Sequence, residues 1–277
     1  SSENGFAPAT YSIGELYYYG LLEEKKSFDL AYKFFEKAAE LNYGPALYSL
    51  GYMWEHGEGK SKNIETAITF YHKAAELEDV LAAHTLAHIY WDINHELFNL
   101  DKAREYFIKA YELGDIEAPL DLARTYNFNM NFNDVNEAFN LSLENYKENI
   151  LKAREWYEKA IGIGNYEGLY EYANTFANEG DFEKAKEIIL EGIRWAEMQD
   201  PPNIVEKTHF LSFLSHYFEV QGFPEEALRV MELAVKEVEK SDLFSLNERA
   251  MTFRDYASTL NVNGYFEKSL NYYEKSE

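Results

Sequence analysis

Apolar positions recur along this chain with helical spacing, and the whole pattern then repeats. Ala31, Phe34, Phe35 and Ala38 fall at i, i+3, i+4 and i+7, which is one face of an α-helix. The stretch FFEKAAELNYGPALYSLG from Phe34 returns as FYHKAAELEDVLAAHTLA from Phe70 and as YFIKAYELGDIEAPLDLA from Tyr106. Ala31, Ala67, Ala103, Ala153, Ala185 and Ala227 each precede an apolar or aromatic pair by three residues, and Ser269 with Tyr272-Tyr273 makes a seventh copy. The steps between copies are 36, 36, 50, 32, 42 and 42 residues. A period of this size predicts stacked helical hairpins, an all-α solenoid of about seven units.

The first half of each unit has its own signature. Ile13-Gly14, Leu50-Gly51, Leu86-Ala87 and Leu122-Ala123 each place a large apolar residue before a very small one. An aromatic follows three positions later, at Tyr17, Trp54, Tyr90 and Tyr126. The small residue marks the closest helix–helix approach, because glycine there costs about 1 kcal/mol of helix propensity relative to alanine. Tyr172-Ala173 and Phe213-Leu214 open weaker copies. Asp29, Asn63, Asn99 and Asp181 stand where an Asx side chain can cap a second helix, and Gly20 and Gly57 stand where a first helix ends.

Composition narrows the function classes. The formal net charge of −23 argues strongly against nucleic acid and anionic membrane surfaces as partners, since their phosphates would be repelled, and favours either a basic partner or solubility alone. With no cysteine there are no disulfides, thiolate metal sites or cysteine nucleophiles. No apolar run is long enough to span a membrane. The opening SSENGFAPAT reads either as the start of a processed lipoprotein or secreted protein or as an arbitrary boundary, so periplasmic, secreted and cytoplasmic locations all stay open.

The composite motif A-x-x-x-L-G-x-x-Y/W-x-x-G, then a loop, then A-x-x-[FY]-[FY]-x-K-A-A-E-x-[GN], resembles the Sel-one-like (Sel1-like) repeat family, relatives of the tetratricopeptide repeats. The match is strongest from Ala46 to Glu78 and covers residues 9–168, while GDFEKAKEI, GFPEEALRV and GYFEKSLNY resemble plain tetratricopeptide repeats over 169–277. The resemblance implies a single right-handed α-solenoid over residues 1–277 that acts as a scaffold or adaptor for protein partners. One 50-residue step carries an Asn- and Phe-rich insertion at about 127–149, with a short helix expected near Val135 to Leu143 and one sequon at Asn140-Leu141-Ser142. The chain ends just after Tyr272-Tyr273, so either the last helix caps the stack itself or the full protein continues.

Residues the packing does not require are the ones that speak to function. Counted from the large apolar residue of the first helix, positions −2, +2 and +5 form a stripe, which the resemblance implies faces a concave groove. That stripe reads Tyr11, Glu15 and Tyr18; Tyr48, Tyr52 and Glu55; His84, His88 and Trp91; Leu120, Arg124 and Asn127; and Tyr170, Asn174 and Ala177. Tyr19, His56 and Asp92 follow the first three stripes. Amphipathic aromatics of this kind suit a protein-binding surface. Packing between neighbouring first helices is the competing reading, and both hold open. The candidate partner-binding residues are therefore Tyr11, Glu15, Tyr18, Tyr48, Tyr52, Glu55, His84, His88, Trp91, Arg124, Asn127 and Tyr170.

The spacing H-x-x-x-H-x-x-x-D at His84, His88 and Asp92 puts three metal-ligand types on one helix face, but Asp92 is two turns from His84, and a neutral histidine pair is the simpler reading. No metal or cofactor is expected. Dinucleotide, phosphate-loop and serine-hydrolase motifs are all missing, which points away from an enzyme. The expected function is a non-enzymatic scaffold that binds a protein or peptide, basic if the charge is used. The alternatives are an immunity protein that neutralises a secreted toxin, an enzyme or cell-wall glycan binder, and a purely architectural spacer.

Overall fold

The computed structural model describes residues 6–21, 26–127 and 143–276. Among them lie fourteen α-helices and no strand. The chain divides into two compact units, Ser1–Ile163 and Gly164–Glu277. The first holds α1 (Phe6–Tyr19), α2 (Phe28–Ala39), α3 (Gly44–His56), α4 (Ile64–Glu76), α5 (Val80–Trp91), α6 (Leu100–Glu112), α7 (Ala118–Asn127) and α8 (Leu143–Gly162). The second holds α9 (Leu169–Ala177), α10 (Phe182–Met198), α11 (Ile204–Val220), α12 (Pro224–Lys240), α13 (Leu246–Val262) and α14 (Phe266–Lys275).

Odd and even helices pair as hairpins, and the even helix of each hairpin packs on the odd helix of the next within each unit. α3 also touches α5, and α11 touches α13, so first helices of successive hairpins lie side by side. This is the α-solenoid architecture the repeat predicts. The marker alanines Ala31, Ala67, Ala103, Ala153, Ala185 and Ala227 are all fully buried. In the seventh copy Ser269 takes the same buried place and satisfies its hydroxyl by donating to the Ala257 carbonyl at 2.7 Å.

The glycines of the first helices mark contact, as expected. A Cβ on Gly51 would lie 2.6 Å from the Tyr71 ring, and one on Gly14 would lie 2.6 Å from the Phe35 ring. Side chains of Asn63, Asn99 and Asp181 accept from backbone amides at the starts of α4, α6 and α10. At α2 that role falls to Ser27, and Asp29 stands inside the first turn instead. A carboxylate there still opposes the positive end of the helix dipole.

Residues 143–149, expected to belong to the insertion, form the first turns of α8. That helix therefore begins ten residues before Ala153, whereas α2 begins three before Ala31. The helix expected near Val135 and the sequon Asn140-Leu141-Ser142 lie outside the described residues, apart from Leu143 itself.

Candidate functional site

The first helices of the first unit are joined by a row of polar rungs. Tyr11 on α1 meets the Ser49 hydroxyl on α3 at 3.3 Å. The Tyr48 hydroxyl on α3 lies beside the Thr85 side chain on α5. His84 and His88 on α5 reach Asp121 on α7. Ser49, Thr85 and Asp121 are one repeat apart at 36-residue steps, each just before its large apolar residue. The −2 position of one hairpin thus meets the −1 position of the next. Leu120, the fourth member of the −2 row, is buried as core.

Burial sets the electrostatics of these rungs. The Tyr11 phenol, half-covered against Phe35 and Tyr43, is pushed up to about 12 by burial. Burial also raises the Tyr48 phenol. The +5 position works differently. Tyr18 donates to the Glu58 carboxylate at 2.5 Å, and Glu55 accepts from the buried Tyr71 hydroxyl at 2.5 Å. Both phenols are held well above their ordinary range, by burial first and then by the neighbouring carboxylate. Trp91 stands edge-on to Phe107, and Asn127 donates to the Tyr157 hydroxyl at 3.2 Å.

The +2 position includes an exposed residue, His88, which the −2 and +5 positions do not. Tyr52 stacks flat on His56, ring centroids 3.9 Å apart, and His56 is exposed. His88 is 44% exposed and lies beside Trp91 at 5.7 Å. Glu15 is half-buried. Arg124 pairs with Asp121 Oδ1 at 3.3 Å. In the second unit, Tyr170 stacks on Phe213 at 4.0 Å, and Asn174 accepts from the Tyr217 hydroxyl at 2.8 Å.

Around His84 the polar atoms converge. The Asp115 carboxylate is fixed by two amides at the start of α7, Glu117 N–H at 2.8 Å and Ala118 N–H at 3.4 Å. Its other oxygen takes the His84 Nδ1 side at 2.5 Å. The Nε2 atoms of His84 and His88 are 2.8 Å apart and lie 3.8 and 3.2 Å from Asp121 Oδ2. Burial of Asp121 works to raise its carboxyl. The His88 hydrogen bond and the charges of His88, Arg124 and His84 outweigh that and hold it below the usual carboxylate range.

Asp92, the third member of the spacing read from sequence, is not part of this group. It caps the end of α5 and accepts from the Asn94 amide at 2.9 Å. The members that sequence reading missed are Asp115 and Asp121. Reading the −1 row alongside the −2 row, as Ser49, Thr85 and Asp121, carries the signal for Asp121.

The Sel1 repeat matches residues 7–43, 44–79, 99–115 and 141–165, and a tetratricopeptide repeat matches residues 166–197. No curated protein matches the chain. Among solved structures, a Sel1 repeat protein from Oxalobacter formigenes shares 22% identity over 83% of this chain and 87% of its own, with a TM-score of 0.52. A protective antigen present in uropathogenic Escherichia coli strains, displaying an SLR fold, shares 16% identity over 99% of this chain and 62% of its own, with a TM-score of 0.56. Yeast Tom70 shares 19% identity over 91% of this chain and 50% of its own, with a TM-score of 0.53. The chain thus spans less than two thirds of the latter two. These likenesses show the helical-repeat fold. Repeats of both kinds generally mediate protein–protein interactions and are typically non-catalytic scaffolds.

Proposed function

We propose that this chain of Sel1 and tetratricopeptide repeats is a non-enzymatic scaffold that holds a basic protein or peptide segment against the first helices of its N-terminal repeats. The observation that carries the reading is the state of the +2 and +5 positions. Tyr52 stacks on His56, Trp91 packs on Phe107, and His88 beside Trp91 keeps solvent access. Rings already held in place lose little entropy when a partner covers them. Glu15 and Glu55 supply negative charge on the same stripe, Asp92 adds to it at the end of α5, and the net charge of −23 steers a basic partner toward them. Tyr11, Tyr48 and His84 contribute mainly by holding neighbouring hairpins in register, with Tyr18, Arg124 and Asn127 at the margins. Tyr170 occupies the corresponding row in the second unit, where it is stacked on Phe213.

The test is binding of a peptide panel of graded charge, followed by fluorescence anisotropy, to the wild type and to the Tyr52→Ala/His88→Ala variant. Helix content by circular dichroism checks that the variant folds. Affinity that rises with peptide charge and falls at least tenfold in the folded variant supports the reading. Equal affinity for acidic and basic peptides, or full retention by the folded variant, overturns it.

A further inference from the structure

We propose that His84, His88 and Asp121 form a binding site for one divalent transition-metal ion of the zinc class. This stands independently of the partner reading, because it concerns the purified chain alone. His84 Nε2, His88 Nε2 and Asp121 Oδ2 form a triangle with sides of 2.8, 3.2 and 3.8 Å. Ligand atoms around a tetrahedral zinc, with bonds near 2.0–2.1 Å, lie about 3.3 Å apart, so the triangle has the size of one face of such a shell. Two imidazoles and one carboxylate suit zinc, cobalt, nickel or copper better than calcium or magnesium, which prefer oxygen.

Three further features fit that use. His84 and His88 are one turn apart on α5, so both rings leave the same face. The Asp115 carboxylate takes the Nδ1 side of His84 at 2.5 Å, which leaves the lone pair of the neutral ring on Nε2. A carboxylate behind a histidine ligand is the usual means of fixing its tautomer and orientation. Asp115 is itself held by the Glu117 and Ala118 amides, and Arg124 takes the other oxygen of Asp121 at 3.3 Å. His88, at 44% exposed, leaves the site open to an incoming ion and to water as a further ligand. A bound ion would tie α5 of one hairpin to α7 of the next, in the register where Tyr11 meets Ser49 and Tyr48 lies beside Thr85.

The test is titration of purified, chelator-treated protein with Co²⁺, followed by visible absorption, then competition with Zn²⁺. One equivalent of Co²⁺ should give the intense absorption of a low-coordinate site, and Zn²⁺ should abolish it. His88→Gln and Asp121→Asn should each lose the band, and Asp115→Asn should weaken affinity about 10–100-fold while keeping it. A His209→Gln/His216→Gln variant, altered only in the second unit, should bind as the wild type does. Zn²⁺ should also raise the melting temperature of the wild type but not of His88→Gln, since an ion held only by the native state stabilises it. His88 is accessible enough that His88→Gln should fold, which circular dichroism checks. Absence of the band in the wild type, or its survival in folded His88→Gln, overturns the site and leaves a hydrogen-bonded histidine pair.

Discussion

Gly51 shows how little freedom single positions in this fold have. A methyl group there would meet the Tyr71 ring at 2.6 Å and the Ala67 carbonyl at 3.1 Å, and neither neighbour can swing away. Gly51→Ala should therefore lower stability by about 1–3 kcal/mol, the usual cost of overpacking, despite alanine's better helix propensity. Gly162 at the end of α8 has open space around it, so Gly162→Ala should be neutral or stabilising. Urea unfolding of both variants checks the contrast. His72 is a second informative residue. Its ring nitrogens meet the Tyr106 and Tyr90 hydroxyls at 2.9 and 3.1 Å, with Lys102 and Glu76 as the nearby charges. Burial, aided by Lys102, lowers its pKa from the ordinary 6.5. The unfolded chain then binds the extra proton first as pH falls. Stability is fully present above pH 6.5 and declines as pH drops from there toward the lower folded pKa. His72→Gln, which keeps a donor and an acceptor, should flatten that decline. Urea midpoints at pH 7.5 and 5.5, compared between the two proteins, measure it, and identical slopes would refute the assignment.

At the scale of elements, the hairpins are held by two kinds of contact, and only one was legible in the sequence. The apolar registers of Ala31, Phe35, Leu50 and Gly51 repeat because each hairpin must bury the same face, so the period alone announced about seven hairpins, the number found among the described residues. Rungs between first helices use a different pairing in each repeat, Tyr with Ser, Tyr with Thr, His with Asp. A search for repeated residues passes over them. The same logic hid Asp121 and Asp115, which meet His84 across 37 and 31 residues of sequence. Asp92 satisfied helical spacing but was drawn away by the end of α5, where its carboxylate accepts from the following turn. Rungs also occur in the second unit, where the buried Tyr217 donates to Asn174 at 2.8 Å between α11 and α9. A double-mutant cycle with Tyr217→Phe and Asn174→Ala should give a coupling of about 0.5–1.5 kcal/mol, the net worth of one such hydrogen bond. A coupling near zero would mean that water replaces the bond without loss.

On the scale of the whole chain, 49 acidic residues stand against 26 basic ones, and this excess acts on folding and on binding with opposite signs of salt dependence. Like charges in a compact chain repel one another more than in the expanded unfolded state, so added salt should relieve the folded state. The ion pairs do not reverse this. Several join two exposed side chains, such as Lys152–Glu148 and Lys184–Glu187, each of small worth. The melting temperature should therefore rise as sodium chloride goes from about 20 to about 500 mM, over which the screening length contracts from tens of ångströms to a few. Attraction between an acidic surface and a basic peptide is screened by the same ions, so affinity should fall, chiefly through a slower association rate. Measuring both on one preparation separates the two effects. A protein that melts higher in salt yet binds its basic partner less tightly uses its charge for recognition. If salt raises stability and leaves binding untouched, the acid excess serves solubility alone, and recognition must rest on the rings of Tyr52 and Trp91.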